Sequence, residues 1–273
     1  MTSSKTALIS VFDKTGVETF AKGLQKLGYE IISSGGTALF LKKHGVRVIE
    51  VSDYTGFPEL FEGRVKTLHP KIHSGILYRR GLKKDEEEIS KHGIRSIDVV
   101  AVNFYPFFEA LKTRDLSKIV ENIDVGGPSL ARAAAKNFEH VTVVVNPHDY
   151  ADVLAALREN TLSKEKRMEL ALKAFAQTAC FDAGVHAFFA SELKQDFPDK
   201  LITCFSKTQD LRYGENPHQR AALYSDGSNG FASLAGKQLS YNNVLDADAA
   251  LALAKEFRGE KAAVIIKHLN PCG

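Results

Sequence analysis

Cysteine is scarce in this chain, with three residues in 273. Cys180, Cys204 and Cys272 are far apart and odd in number, so they spell neither a metal-binding pair nor a disulfide framework. Reduced thiols in a cytosolic compartment are the expectation. An excess of one charge is also missing: 36 Lys and Arg against 33 Asp and Glu leave a formal net charge of +3. A nucleic-acid binder would carry a basic stripe with interleaved aromatics. None is present, so nucleic acid is not an expected partner. No apolar run approaches the roughly 20 residues that cross a bilayer, so no membrane partner is expected either. The polar opening from Met1 to Lys5 leads straight into a strand, which is not the pattern of a signal peptide.

What is present is the 44% hydrophobic and 25% charged content of a globular chain. The length suits one large domain, or one domain and part of another. Thr6 to Phe12 reads as a buried strand. Thr15 and Glu18 form a capping-box pair that opens a helix running to about Leu27, closed by Gly28. A second strand spans Glu30 to Ser33, a short helix runs to about His44, and Val46 to Val51 is a third strand. This alternation predicts a parallel sheet with helices on both faces. The stretch from Asp53 to about Gly81 reads as irregular, and a loop that long is functional or disordered. Its many apolar residues, Phe57, Leu60, Phe61 and Ile76 among them, speak against disorder. Further on come a helix over Asp85 to His92, a strand over Ile97 to Asn103, a helix over Pro128 to Lys136 and a strand over Val141 to Val145. From about Asp149 to Lys194 the pattern is helical. After Pro198 it changes to a polar loop over Leu211 to Gln219, a helix over Tyr241 to Phe257 and a strand over Ala262 to Ile266. The chain stops just after that strand, so residues from about 200 read as the start of a second domain cut short.

Two segments carry the strongest chemical signal. In Gly63-Arg64-Val65-Lys66-Thr67-Leu68-His69-Pro70, an extended backbone would point Arg64 and Lys66 to one side. Ile123-Asp124-Val125-Gly126-Gly127-Pro128 sets a lone carboxylate at the mouth of a helix. Ser34-Gly35-Gly36-Thr37 lies between strand and helix. It suits an anion cradled by backbone N–H groups, and equally a tight turn with Thr37 as N-cap. Lys14 would lie beyond the carboxyl end of the first strand, where ligands of open parallel sheets bind. By itself it is better read as a solvated lysine. Arg132 and Lys136 share a helix face, where like charges are unfavourable unless an anion or acid lies between them. With Asp124 one loop upstream, a Lys–Asp site is favoured. His69 and His73 are four apart, but Pro70 intervenes and no glutamate stands in the metalloprotease position, so no metal site is expected. Together these residues point to an anionic, nucleotide-like substrate.

The set Asp13-Lys14-Thr15-Gly16, Ser34 to Thr37, Gly63 to Pro70, Asn103-Phe104-Tyr105-Pro106-Phe107, Ile123 to Gly127 and Arg132 to Asn137 resembles the IMP cyclohydrolase domain of the bifunctional AICAR transformylase/IMP cyclohydrolase family of purine biosynthesis. The stretches around Arg212-Tyr213 and Lys267-His268 resemble the opening of that family's transformylase half. The resemblance spans essentially the whole chain and keeps motif order, over a little more than half of the family's usual length.

The resemblance implies a methylglyoxal-synthase-like α/β fold for residues 1–198, and the beginning of a transformylase domain for residues 199–273. It implies ring closure of 5-formamidoimidazole-4-carboxamide ribotide (FAICAR) to IMP with loss of water, with no cofactor, in a cytoplasmic homodimer. Lys66, Tyr105, Asp124 and Lys136 match the catalytic positions. On this reading Asp124 engages the carboxamide N–H and Lys136 stabilises or protonates the formyl oxyanion, while Lys66 and Tyr105 orient those groups. Lys14, Ser34, Gly36, Thr37, Arg64 and Thr67 would hold the ribose phosphate, and Asp13, Gly35, Asn103, Val125 and Gly126 complete the substrate-binding set. Lys267 and His268 match residues of formyl transfer from 10-formyltetrahydrofolate, and Arg212 and Tyr213 match positions that bind AICAR. The folate-binding remainder is not among these residues, so no formyl transfer is expected from them alone. One departure is Phe12, where the family usually has serine, and altered nucleotide affinity is the expectation. Methylglyoxal synthase and the regulatory nucleotide-binding module of carbamoyl-phosphate synthetase are the rival readings, since a shared fold does not fix function.

Overall fold

The computed structural model describes residues 5–227 and 235–272. The chain divides into two compact units, Met1–Lys200 and Leu201–Gly273. The first opens with β1 (Lys5–Ser10), α1 (Val17–Lys26), β2 (Tyr29–Ser33), α2 (Gly35–Lys43) and β3 (Ile49–Glu50). It continues through α3 (Val51–Thr55), α4 (Pro70–Leu77), α5 (Lys83–Lys91) and β4 (Val99–Val102). It closes with α6 (Phe107–Leu111), α7 (Leu116–Glu121), α8 (Gly126–Lys136), β5 (Thr142–Val144), α9 (Tyr150–Glu159) and α10 (Lys164–Glu192).

The five strands form one parallel sheet in the order β3-β2-β1-β4-β5. Central β1 sets Leu8 opposite Ile32 on one side and Val100 on the other. Ala7, Leu8 and Ile9 are consecutive and fully buried, as in a strand covered on both faces. Val17, Phe20, Ala21 and Leu24 give α1 a single buried stripe, and Phe20 stacks on Tyr150 of α9 at 4.4 Å between ring centroids. Truncating Phe20 to alanine would cost about 3–5 kcal/mol through the cavity left behind. In α8 the buried residues include Ala131, Ala133, Ala134 and Ala135, and this helix packs between the sheet and α10. Small side chains let the backbone of α8 approach closely there.

Chain winding reverses between β1 and β4, since β2 and β3 extend to one side and β4 and β5 to the other. In an open parallel sheet the crevice beyond the carboxyl ends of the strands at that reversal is the place for a ligand. Here it falls beyond Ser10 and Val102.

Several elements differ from the sequence expectation. The third strand shrinks to two residues, because Val51 already begins a helix. The long irregular stretch contains α4, with Pro70 in its first turn and His69 as N-cap, whose Nδ1 accepts the Lys71 N–H. His73, in the same helix, packs against the body of the unit, and burial pushes its imidazole pKa down. The second unit has an antiparallel pair, β6 (Ser206–Leu211) and β7 (Ala221–Ser225). α11 (Tyr241–Glu256) follows, then the short pair β8 (Ile266–Lys267) and β9 (Asn270–Pro271). The buried strand expected over Ala262 to Ile266 is reduced to Ile266–Lys267, and Lys267 is exposed. Cys272 is an exposed free thiol. No described helix is long and apolar enough to cross a membrane.

Candidate functional site

The crevice is built from the loops after β1 and β4. Asn103 is the fastener. Its Oδ1 accepts the Phe12 N–H at 2.6 Å and the Asp13 N–H at 3.0 Å, while its Nδ2 donates to the Asp13 carbonyl at 2.9 Å. Thr37, in the first turn of α2, supplies a second tie. Its hydroxyl donates to the Val11 carbonyl at 2.8 Å and accepts the Val11 N–H at 3.2 Å. Thr37 is therefore not an N-cap but a buried brace. Between them the two residues satisfy a turn of backbone that would otherwise present bare polar groups.

Above this floor lies a cavity of about 550 Å³. It is lined by Lys14, Gly36 and Thr37 from one side, Arg64, Lys66 and Thr67 from a second, and Asn103, Tyr105, Asp124, Val125 and Gly126 from a third. Eleven residues singled out in the sequence thus share one space.

Asp124 is the carboxylate of this cavity. Its Oδ1 accepts the Gly127 N–H at 2.8 Å and its Oδ2 accepts the Tyr105 N–H at 3.3 Å. Burial pushes its pKa above the ordinary carboxylate value, and the two backbone N–H groups and the Lys66 charge offset only part of that. A Cβ on Gly127 would stand 2.6 Å from Asp124 Oδ2, so the second glycine of the pair makes room for the carboxylate.

Lys66 Nζ lies 3.4 Å from the Tyr105 hydroxyl. The Phe12 ring meets Tyr105 edge-on at 5.8 Å between centroids, and the Lys14 ammonium sits 5.9 Å from the centre of the Phe12 ring. Arg64 is ion-paired to Glu121 at the cavity rim, both side chains being more than half exposed. Arg64 occupies the αR region after a 3-10 turn (Phe61–Gly63), so the extended geometry assumed for Arg64 and Lys66 is not the one adopted, although both reach the cavity.

Other predicted residues stand elsewhere. Asp13 turns away to bind the Thr15 hydroxyl at 2.7 Å and its N–H at 2.9 Å, which hold its carboxyl below the ordinary range. Ser34 and Gly35 line a small cleft behind the cavity, together with Lys66 and Glu59. Lys136 is exposed at the last position of α8, ten residues along the helix from Gly126. At about 1.5 Å per residue that separates it from the cavity end by roughly 15 Å. The structure therefore does not bring Lys136 to Asp124 within this chain. Arg132 leaves the cavity as well, its guanidinium lying 5.7 Å from the centre of the Phe175 ring. In the second unit Arg212 is exposed beside the Tyr213 ring, and Lys267 and His268 lie at the exposed turn between β8 and β9. Residues that the sequence reading missed include Ser10, Val120 and Glu121. Their residue types carry no chemical signal, and only the position of Ser10 at a strand's carboxyl end could have marked it.

Two family profiles match the chain: "MGS-like domain" over residues 16–129 and "AICARFT/IMPCHase bienzyme" over residues 134–273. Curated relatives named "Bifunctional purine biosynthesis protein PurH" are close in sequence. That of Oceanobacillus iheyensis is 50% identical over 99% of this chain and 54% of its own length. That of Acidithiobacillus ferrooxidans is 52% identical over 98% of this chain and 53% of its own length. That of Bacillus subtilis is 48% identical over 98% of this chain and 54% of its own length. The chain thus spans about half the length of the curated relatives it matches. A solved structure titled "Crystal structure of ForH" is 38% identical, with a TM-score of 0.60 over 68% of this chain and 99% of that one.

Proposed function

We propose, from the premise that this chain belongs to the AICARFT/IMPCHase bienzyme family, that its cavity closes the pyrimidine ring of a purine nucleotide. The substrate is FAICAR and the products are IMP and water. The reaction asks for little beyond proton transfer and charge stabilisation. Both reacting groups sit on one imidazole, so proximity is supplied by the substrate itself. The carboxamide nitrogen must lose a proton as it attacks the formyl carbon. The formyl oxygen must gain protons as its C–O bond breaks.

The observation that carries the proposal is the convergence of Asp124, Lys66 and Tyr105 on one cavity. Asp124, with its raised pKa, is placed to accept the carboxamide proton. Lys66 and Tyr105 present an ammonium and a phenol 3.4 Å apart, suited to the developing oxyanion of the formyl group. Lys136 lies outside this space, so the role of stabilising cation passes to Lys66. Arg64, Lys14, Thr67 and the backbone at Gly36 and Thr37 offer donors for the phosphate. The cavity also fits the chemistry better than the rival readings do. A binding module needs an anion pocket but no buried carboxylate set beside a lysine and a phenol.

For the whole protein, of which relatives are about twice as long, the same premise supports a second activity. Arg212, Tyr213, Lys267 and His268 would serve formylation of AICAR with 10-formyltetrahydrofolate as co-substrate. A homodimer in the cytoplasm, with residues 1–198 as cyclohydrolase domain and residues 199–273 as the opening of the transformylase domain, completes the proposal.

An absorbance assay for IMP formation from FAICAR tests the cyclohydrolase. Turnover that depends on Asp124 is expected. Binding of IMP without any turnover would leave a nucleotide-binding module in its place.

A further inference from the structure

Lys66 faces two spaces. It lines the main cavity, and it lines the small cleft behind it that also contains Ser34, Gly35, Glu50 and Glu59. Two glycines with left-handed backbone, Gly35 at φ 52° and Gly63 at φ 95°, clear the room in which Lys66 and Glu59 approach. A Cβ on Gly63 would stand 2.6 Å from Glu59 Oε1 and 3.5 Å from Lys66 Nζ. A Cβ on Gly35 would stand 3.3 Å from the same Nζ and 3.5 Å from the same Oε1. The two charged atoms are therefore at most about 6 Å apart, close enough to attract one another.

From this arrangement we propose that Glu59 is a positioning residue for Lys66: its carboxylate holds the ammonium aimed past Gly35 and Gly63 at the Tyr105 hydroxyl. The inference rests on the cyclisation reading above. Each charged neighbour of Lys66 has its own place. Asp124, ahead of α8, faces it across the main cavity and is the proposed base. Tyr105, after β4, is the hydroxyl it touches. Glu50 of β3 is committed to Lys42. Arg64, on Lys66's own loop, is paired with Glu121, and Lys14 adds only repulsion. Glu59 is the carboxylate of the rear cleft that has no ion pair among the described residues.

Glu59→Gln keeps the shape and removes the charge that attracts the ammonium. At pH 8 kcat should fall several-fold, with KM changed by no more than about twofold. Glu59→Asp, which restores the charge on a shorter stem, should recover part of the loss. A readout that needs no turnover is the rate at which Lys66 is acetylated by acetic anhydride, followed by peptide mass spectrometry. It should rise in Glu59→Gln, because the amine is no longer held in place by the carboxylate. An unchanged kcat with equal acetylation rates would overturn the proposal. So would an equal fall in Glu59→Gln and Glu59→Asp accompanied by a lowered melting temperature. An acetylation shift in a chain that never turns over FAICAR would uphold the Glu59–Lys66 relationship and reject the cyclisation reading.

Discussion

Gly127 donates its backbone N–H to Asp124 at 2.8 Å, and a Cβ on Gly127 would stand 2.6 Å from that same carboxylate. It would also stand 3.0 Å from the Phe104 ring, so the added methyl is crowded from two sides. Alanine inside a helix is otherwise better than glycine by about 1 kcal/mol. Gly127→Ala should therefore split two properties that usually move together. Stability should change little, the helix gain offsetting the crowding. Turnover should fall by about 10-fold or more, since the base is pushed off its line. Thermal melts and initial rates on the same preparation check it.

Asp124 carries the clearest pH signature. Burial raises its pKa in the folded chain above the unfolded value of 3.8. A carboxyl of that kind favours the fold while it is protonated, and the contribution is lost as pH rises through the folded pKa. At neutral pH the ionised group is thus a burden on stability. Asp124→Asn keeps an oxygen for the Gly127 N–H and removes the charge. Its melting temperature should equal or exceed the parent's at pH 8, with the difference vanishing toward pH 3. Its turnover should drop by about 10²–10⁴-fold, the usual weight of a general base. For the parent, activity should fall on the acid side through a pKa above that of an ordinary aspartate. A destabilised Asp124→Asn chain at pH 8 would contradict the sign of the shift.

Lys66 and Lys136 separate the cavity from the helix end. Lys66 sits against Tyr105, while Lys136 is exposed about 15 Å along α8. Lys66→Ala should lower kcat by about 10²-fold or more, in line with loss of a donor to an oxyanion. Tyr105→Phe should cost less, because the ammonium remains. Lys136→Ala should leave the rate within a few-fold of the parent's if one chain makes the whole site. A loss equal to that of Lys66→Ala would mean that a second copy delivers the Lys136 ammonium to the cavity. Mixing Lys66→Ala with Lys136→Ala chains then decides it, since partial recovery requires such sharing.

Much of the fold was legible because hydrophobic runs and helix periods repeat in order along residues 5–200. The boundaries that slipped have local causes. The Thr15–Glu18 capping box does not form, because the Thr15 hydroxyl is taken by Asp13 two residues back. The N-cap falls to Gly16 instead. Val51 is as apolar as a strand residue, but it begins a helix, and nothing in its side chain distinguishes the two. The residues of the candidate cavity were legible where chemistry demands special residues: the glycine pair beside Asp124, and Lys66 with Tyr105. Arg132 and Lys136 stand outside the cavity within this chain, for a physical reason. Four-residue spacing places two cations on one face, but it does not say which end of the helix the carboxylate occupies. Glu121 and Val120 were illegible because lining a rim requires nothing distinctive.

Phe12 offers a test of how the cavity reads its substrate. Its backbone N–H is fixed by Asn103 at 2.6 Å, so the ring position does not depend on the ring itself. The ring is 48% exposed at the cavity, edge-on to Tyr105 and beneath the Lys14 ammonium. A flat imidazole entering there would cover apolar surface that water now wets. Burying part of a phenyl ring in this way contributes on the order of 1 kcal/mol. Phe12→Ser should therefore raise KM for FAICAR by about fivefold, with kcat within about twofold of the parent. Stability should stay within about 0.5 kcal/mol, since the ring is not part of the core. Asn103→Ala is the contrasting variant. It strips the partner from two backbone N–H groups and a carbonyl in the same turn. About 1–3 kcal/mol of stability should be lost in all, since the turn is only partly buried and water reaches some of these groups. Loss of stability in Phe12→Ser, equal to that in Asn103→Ala, would show that the ring holds the turn and does not meet the substrate.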